Sequence, residues 1–194
     1  MTVYNEKPSV HVIDFFCGVN SQSVEKLIRH INKALNEEAS EIIIRISSSG
    51  GSLTSAFDTY SFLRSVPVPL TMYNYGNVDS SAIILFLAAD SRIATPYSGF
   101  MLHQNLSVFK VDAACGLFAL REITTSMEFD IGRYTEIFNE RTKNAEKMID
   151  VVKCLKGEPL IIGTVDARIC GITTGDPTIY TSLTRTTHYC ITDS

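Results

Sequence analysis

The sequence predicts an α/β fold: repeated strand–loop–helix units with a mostly parallel sheet, followed by one long helix. Three observations carry this expectation. Ile42-Ile43-Ile44-Arg45-Ile46 is nearly all β-branched and apolar, as expected of a strand covered on both faces. Apolar stripes at helical spacing alternate with such runs across the first hundred residues. From Leu117 the pattern changes to three-four spacing through Leu120, Thr124, Met127, Ile131, Tyr134 and Phe138, the mark of a long helix with a coiled-coil-like seam.

Taken in order, Val10 to Phe16 is an apolar-rich first strand, and Gly18-Val19-Asn20-Ser21 is a turn and cap. Val24, Leu27, Ile28, Ile31, Ala34 and Leu35 form an amphipathic helix that runs to about Ala39. The Ile42–Ile46 strand leads into a Ser47-Ser48-Ser49-Gly50-Gly51 loop and a helix carrying Leu53, Ala56, Phe57, Tyr60 and Leu63. Val66-Pro67-Val68-Pro69 breaks that helix, because proline lacks an N–H and clashes with the preceding turn. Leu70 to Tyr75 is the next strand. A polar run, Gly76-Asn77-Val78-Asp79-Ser80-Ser81, then meets the apolar segment Ile83 to Ala89, which reads as a buried helix with Ser80 at its cap. Arg92-Ile93-Ala94 and Gly99 to His103 look like short strands around the turn Thr95-Pro96-Tyr97-Ser98. After the long helix, Met148 to Leu155 continues helical and Gly157-Glu158-Pro159 breaks the chain. Val165 to Ile169 forms a short helix with Gly171 as its C′ residue. The threonine-rich tail offers one edge strand, around Thr178 to Thr184. No repeat or linker interrupts the 194 residues, so one domain over 1–194 is expected.

Composition narrows the function classes. A net charge of -4 and a pI near 5.6 argue against a nucleic-acid binder, which needs a basic face. The apolar runs are too short to span a bilayer, and Met1 to Pro8 does not resemble a signal peptide. The five cysteines are scattered without a C-x-x-C pair, which disfavours a metal or disulfide framework and suits a reducing cytoplasm. No cofactor or metal is expected.

Chemistry gathers at three strand ends. Ser80 stands where a strand passes into a helix, at a sharp turn whose backbone N–H groups favour negative charge. A serine needs a base, and His103 closes the strand Phe100-Met101-Leu102-His103. Gly50-Gly51 lets backbone approach a substrate closely, as an oxyanion site requires. In an open parallel sheet, function sits at these carboxyl ends.

These segments resemble a known family. Ile46-Ser47-Ser48-Ser49-Gly50-Gly51-Ser52-Leu53 is similar to the "I-N-S-P-G-G" strand end of the Clp protease proteolytic subunit. Gly76-Asn77-Val78-Asp79-Ser80-Ser81-Ala82 is similar to its "G-Q-A-A-S-M-G" nucleophile loop, and Pro96 through Met101-Leu102-His103-Gln104 to its "P-N-S-R-V-M-I-H-Q" segment. The resemblance runs from about Val10 to Leu106 and returns faintly at Thr164 to Gly171. It implies a ClpP/crotonase-type fold with Ser80 as nucleophile, His103 as general base, and the N–H groups of Gly51 and Ser81 as oxyanion hole. It also implies a polypeptide substrate adding as a strand beside Gly50, Gly51 and Ser52. The long helix, residues 113–145, would be the protruding handle that packs stacked, heptameric rings of a homo-oligomer. A separate AAA+ unfoldase would deliver substrate, since this chain has no P-loop.

The sequence departs from the family pattern in several places. The family's third catalytic residue is an aspartate ahead of the Gly171-like segment; Gly157-Glu158-Pro159 falls there, making Glu158 the candidate third member, with Asp150, Asp166 or an empty position as alternatives. Asp79 replaces a small residue beside the nucleophile and would favour a protonated His103. Ser81 stands where the family has methionine, and Ser107-Val108-Phe109-Lys110 lacks the glycine-rich strand before the handle. The N-terminus is short for a full axial-pore loop. Two alternatives to an active peptidase follow: a catalytically impaired structural paralogue that assembles with active subunits, and, more remotely, a crotonase-type acyl-CoA enzyme.

Overall fold

The computed structural model describes residues 9–104, 116–180 and 186–193. Its elements run β1 (Val10–Phe16), α1 (Ser21–Asn36), β2 (Glu41–Ser48), α2 (Leu53–Arg64), β3 (Leu70–Asp79), α3 (Ala82–Ala88), β4 (Ser91–Ala94) and β5 (Gly99–Leu102). Then follow α4 (Leu117–Arg141), α5 (Val151–Leu155), β6 (Leu160–Gly163), α6 (Thr164–Ile169) and β7 (Thr186–Thr192). The sheet order is β6-β5-β3-β2-β1-β7, with β4 also on β3. Every described pairing is parallel except β5 with β6. The α/β expectation therefore holds.

The sheet is buried on both sides, which explains its unbroken apolar strands. Ile13, Phe15, Ile42, Ile44, Ile46, Met72 and Val78 face α1, α2 and α3 in the main core. Val10, Val12, Ile43 and Tyr73 form a smaller cluster on the other face. Every residue of α3 is buried, so this helix has no polar stripe. Asn20 caps α1 reciprocally: its side chain accepts from the Gln22 and Ser23 N–H groups, while Ser23 Oγ accepts from the Asn20 N–H.

Several boundaries differ from the sequence reading. The first helix stops at Asn36 rather than near Ala39, and Glu38 follows in a left-handed conformation (φ 57°). β3 does not stop at Tyr75. It continues through the polar residues to Asp79 because it changes partners: Thr71–Asn74 pair with β4, and Asn77–Asp79 pair with β5. A polar strand looks like a loop when its pairing is invisible in sequence. β6 was not expected; it forms as an antiparallel edge on β5. The tail strand lies at Thr186–Thr192, not Thr178–Thr184, and pairs parallel with β1 from Val10↔Thr186 to Phe16↔Thr192. Thr178–Tyr180 are not strand, and 181–184 lie outside the described residues. The expected start of the long helix at 113 also lies outside them; within them α4 begins at Leu117.

The seam expected along α4 divides in two. Tyr134 and Phe138, near its C-terminal end, are buried in the main core. Leu117, Phe118, Leu120 and Phe129, in its N-terminal half, are exposed.

Candidate active site

β2, β3 and β5 bring their carboxyl ends together. The Ser80 N–H donates to the Met101 carbonyl at 2.8 Å, tying the start of the serine turn to β5. Ser80 does not cap α3. It adopts φ 55°, a left-handed conformation uncommon for a residue with a side chain. The cap position falls on Ser81, whose side chain makes no capping bond. The Ser80 carbonyl accepts from the Tyr134 hydroxyl at 3.1 Å and the Ile83 N–H at 3.1 Å, so α4 buttresses the turn from behind. Burial pushes the Tyr134 phenol far up, which keeps it a hydrogen-bond donor.

The glycine pair is obligatory here. A Cβ on Gly50 would lie 2.7 Å from the Asp79 carbonyl oxygen and 2.8 Å from Ser80 Cβ, and one on Gly51 would lie 2.2 Å from the Val19 carbonyl oxygen. Both glycines have positive φ, 84° and 149°. Val19 forms a parallel bridge with Gly51, its N–H donating to the Gly50 carbonyl and its carbonyl accepting from the Ser52 N–H, each at 2.8 Å. Strand peptides alternate in direction, so the N–H of Gly51 itself points away from Val19, toward the side on which β3 and Ser80 lie. The buried backbone of Ser81 is also close, its nitrogen 3.1 Å from the Gly50 Cβ position.

His103 follows β5 directly. Its Nδ1 lies 2.9 Å from the Gln104 carbonyl. A carbonyl can only accept, so Nδ1 carries the proton and Nε2 carries the lone pair of the neutral ring. Ser80 Oγ and His103 make no hydrogen bond to each other, although both stand at the end of the β3–β5 ladder.

The carboxylates fall as follows. Glu158 is exposed and pairs with Lys153 at 2.7 Å, making no hydrogen bond to His103. Asp150 caps α5 through the Lys153 N–H, and Asp166 lies in the first turn of α6. Asp79, by contrast, is buried beside Ser80 and paired in register with Met101, two residues before His103. Strand alternation sets Asp79, Met101 and His103 on one face of the sheet. Burial pushes the Asp79 carboxyl up, while the Met101 backbone and the charge of His103 pull it back. The sequence predicts that Asp79 favours a protonated His103, and the ladder register sets the carboxylate on the same face as that histidine.

A cavity of about 350 Å³ opens at these strand ends, lined by Phe16, Cys17, Ser47, Ser49, Asp79 and Asp193 among others. Burial and the nearby Asp193 charge push the Cys17 thiol up to about 11, so it is a thiol rather than a competing nucleophile at neutral pH. Among the described residues, no group of histidine, cysteine and carboxylate side chains is placed to hold a metal ion. Nor is any described helix long and apolar enough to cross a membrane.

A mostly parallel sheet with a left-handed serine turn, paired glycines and a histidine at adjoining strand ends defines an α/β protein with a candidate site at a strand-end crevice. The chain belongs to the Clp protease family, whose family model matches residues 2–152. It is 35% identical over 71 residues to ATP-dependent Clp protease proteolytic subunit 2 of Borreliella burgdorferi, covering 36% of each chain. It is 32% identical over 95 residues to the subunit of the same name from Treponema denticola, covering 47% of this chain and 48% of that one. With proteolytic subunit 1 of Protochlamydia amoebophila it shares 29% identity over 138 residues, 69% of this chain and 67% of the other. The chain thus spans between about a third and a half of the first two relatives' length. Among solved structures it resembles a point mutant of ClpP1 from Listeria monocytogenes, with a TM-score of 0.70, 16% identity and coverage of 84% and 88%. It also resembles a point mutant of the 1510-N membrane-bound stomatin-specific protease, with a TM-score of 0.68, 14% identity and coverage of 87% and 79%. At these identities the two likenesses are of fold. The family match lends no support to the acyl-CoA alternative.

Proposed function

We propose that the chain is a serine endopeptidase subunit of the Clp type, with Ser80 as nucleophile and His103 as general base. The observation that carries this is the left-handed Ser80 turn, wedged against Gly50 and bonded to the strand that ends in His103. In the reaction, His103 Nε2 takes the Ser80 Oγ proton as the oxygen attacks the scissile carbonyl carbon. The N–H groups of Gly51 and Ser81 hold the oxyanion that develops. The imidazolium then gives its proton to the departing amine, and water releases the acyl group by the reverse route. The substrate lies extended beside Gly50, Gly51 and Ser52, bound through its main chain.

The third position works differently from a carboxylate triad. The Gln104 carbonyl already fixes the tautomer of His103, the task a triad aspartate performs. Glu158, which leads into β6 opposite the end of β5, is held in an exposed ion pair with Lys153 and has no part in orienting the ring.

In this reading the subunits form stacked homo-oligomeric rings and receive unfolded polypeptide from a separate ATP-driven unfoldase. A fluorogenic short-peptide assay tests the core of the proposal. The intact protein should cleave, and Ser80→Ala should lose at least about a thousandfold in kcat/KM. Equal rates for the two proteins, or no cleavage by the intact one, would overturn it.

A second reading is motivated by the buried Asp79 and by the lack of a carboxylate bond on His103 among the described residues. The chain would then be an inactive subunit that assembles with active paralogues. It predicts no labelling of Ser80 by a fluorophosphonate probe and co-purification with a second Clp-type chain.

A further inference from the structure

Away from the serine, a second cavity of about 230 Å³ lies where the C-terminal ends of α4 and α6 meet β4. At about 30 Å³ per water, it has room for a small ion with part of its hydration. Arg92, Arg141, Arg168, Asn144 and Thr173 are among the residues lining it.

The polar groups here do not balance. Arg92 is 3% exposed and donates to the carbonyls of Ile172, Ala89, Arg141 and Gly171, gathering backbone ends with no carboxylate bonded to it. Arg141 spends Nε on the Leu87 carbonyl and Nη2 on the Ala89 carbonyl and Asp90. Its Nη1 has no acceptor among the described residues. Arg168 makes no hydrogen bond there either; its Nε lies 3.8 Å from Asp176, which is 95% exposed. The Asn144 side chain also lacks a partner among the described residues. The Thr173 hydroxyl is sealed from solvent, in a residue 1% exposed, and has no hydrogen-bond partner among the described residues. A buried hydroxyl left so keeps its desolvation penalty unless something accepts from it. Carbonyls at the nearby helix ends carry partial negative charge, but Arg92 and Arg141 already donate to them. The surplus is therefore one of donors: two guanidinium groups, an amide and a hydroxyl.

We propose that this cavity binds a small phosphate-class oxyanion, held by Arg168 and Arg141 and accepting from the Thr173 hydroxyl on its inner wall. A planar guanidinium fork suits two oxygens of such a group. Bound there, the ion ties the end of α4 to α6 and to the strand β4. The site is independent of the Ser80 chemistry.

The test is a thermal-shift and calorimetric titration of the full chain at constant ionic strength and pH 7.5. One arm uses inorganic phosphate and one uses O-phosphoserine, with sodium chloride as control. Saturable binding and a rise in Tm are expected in at least one arm. Phosphate alone indicates a free ion, and tighter phosphoserine indicates a phosphorylated side chain. Arg168→Gln and Thr173→Val should each weaken binding at least tenfold. Without ligand, Thr173→Val should melt no lower than wild type, since its hydroxyl has no protein partner. Shifts matched by chloride, or variants that bind as wild type does, would overturn the proposal.

Discussion

Asp79 is a carboxyl group held out of water next to a serine. Its folded value lies above the ordinary 3.8 because burial disfavours the charge. A raised acid favours the fold only while it is protonated, so that contribution is lost as pH rises through the folded value. At neutral pH the ionised group is a burden. Asp79→Asn should therefore raise Tm at pH 7 by about 2–4 °C, the shift expected for about 1 kcal/mol in a chain of this size. The gain should vanish below the unfolded carboxyl value of 3.8. An unchanged Tm at pH 7, or a gain that persists in acid, would count against a buried charge. Retention of a destabilising group beside a reactive one is common at working sites. Glu158 gives a second test at this scale. If the Gln104 carbonyl orients the histidine, Glu158→Gln should change kcat/KM by less than about threefold. A triad carboxylate would cost about ten-thousandfold. The residue types were legible in the sequence: glycine pair, serine and histidine follow, in that order, the strands β2, β3 and β5. Which acceptor meets His103 Nδ1 was not, because a main-chain carbonyl leaves no side-chain signature.

At the scale of elements, the strand-end turn holding Gly50 and Gly51 is built around what glycine lacks. A methyl group on Gly51 would collide with the Val19 backbone, which cannot swing aside as a side chain can. Gly51→Ala should cost at least about 2 kcal/mol in urea unfolding and remove peptidase activity. Gly132 makes the opposite prediction. It lies inside α4 with nothing within 4 Å of a Cβ, so Gly132→Ala should stabilise by about 0.5–1 kcal/mol. Equal effects at the two positions would refute the packing argument. The strong elements, α1, β2 and α2, were legible because each carries a clean period or an unbroken β-branched run. β3 past Tyr75, β6 and β7 were not. Each owes its existence to a partner strand, and pairing across long sequence distances does not alter local composition.

For the whole molecule, α4 is the element least accounted for by its own core. Phe118 and Phe129 are exposed on a grooved face of about 670 Å³ together with Thr125. Large apolar side chains in one groove point to a surface that another protein covers. In the stacked-ring proposal that cover is a second copy. Native mass spectrometry of the Phe118→Ser, Phe129→Ser double variant should show smaller assemblies than wild type, with each chain still folded by circular dichroism. An intact protein already monomeric at micromolar concentration would sink the ring reading. The sequence spacing suggested one seam along this helix, and the burial of Tyr134 and Phe138 confines the free part to its first half.

The parallel pairing of β7 with β1 sets an order of events in synthesis. Val10 meets Thr186, so β1 finds this partner only after every element from α1 to α6 has been made. Until then the β1 edge, with its row of unmatched N–H and C=O groups, is open to any extended segment nearby. Contacts of such long sequence separation also slow folding. The β1–β7 ladder is therefore the last of the described strand pairings whose two partners have both been made, and the β1 edge stays unpaired on that side until then.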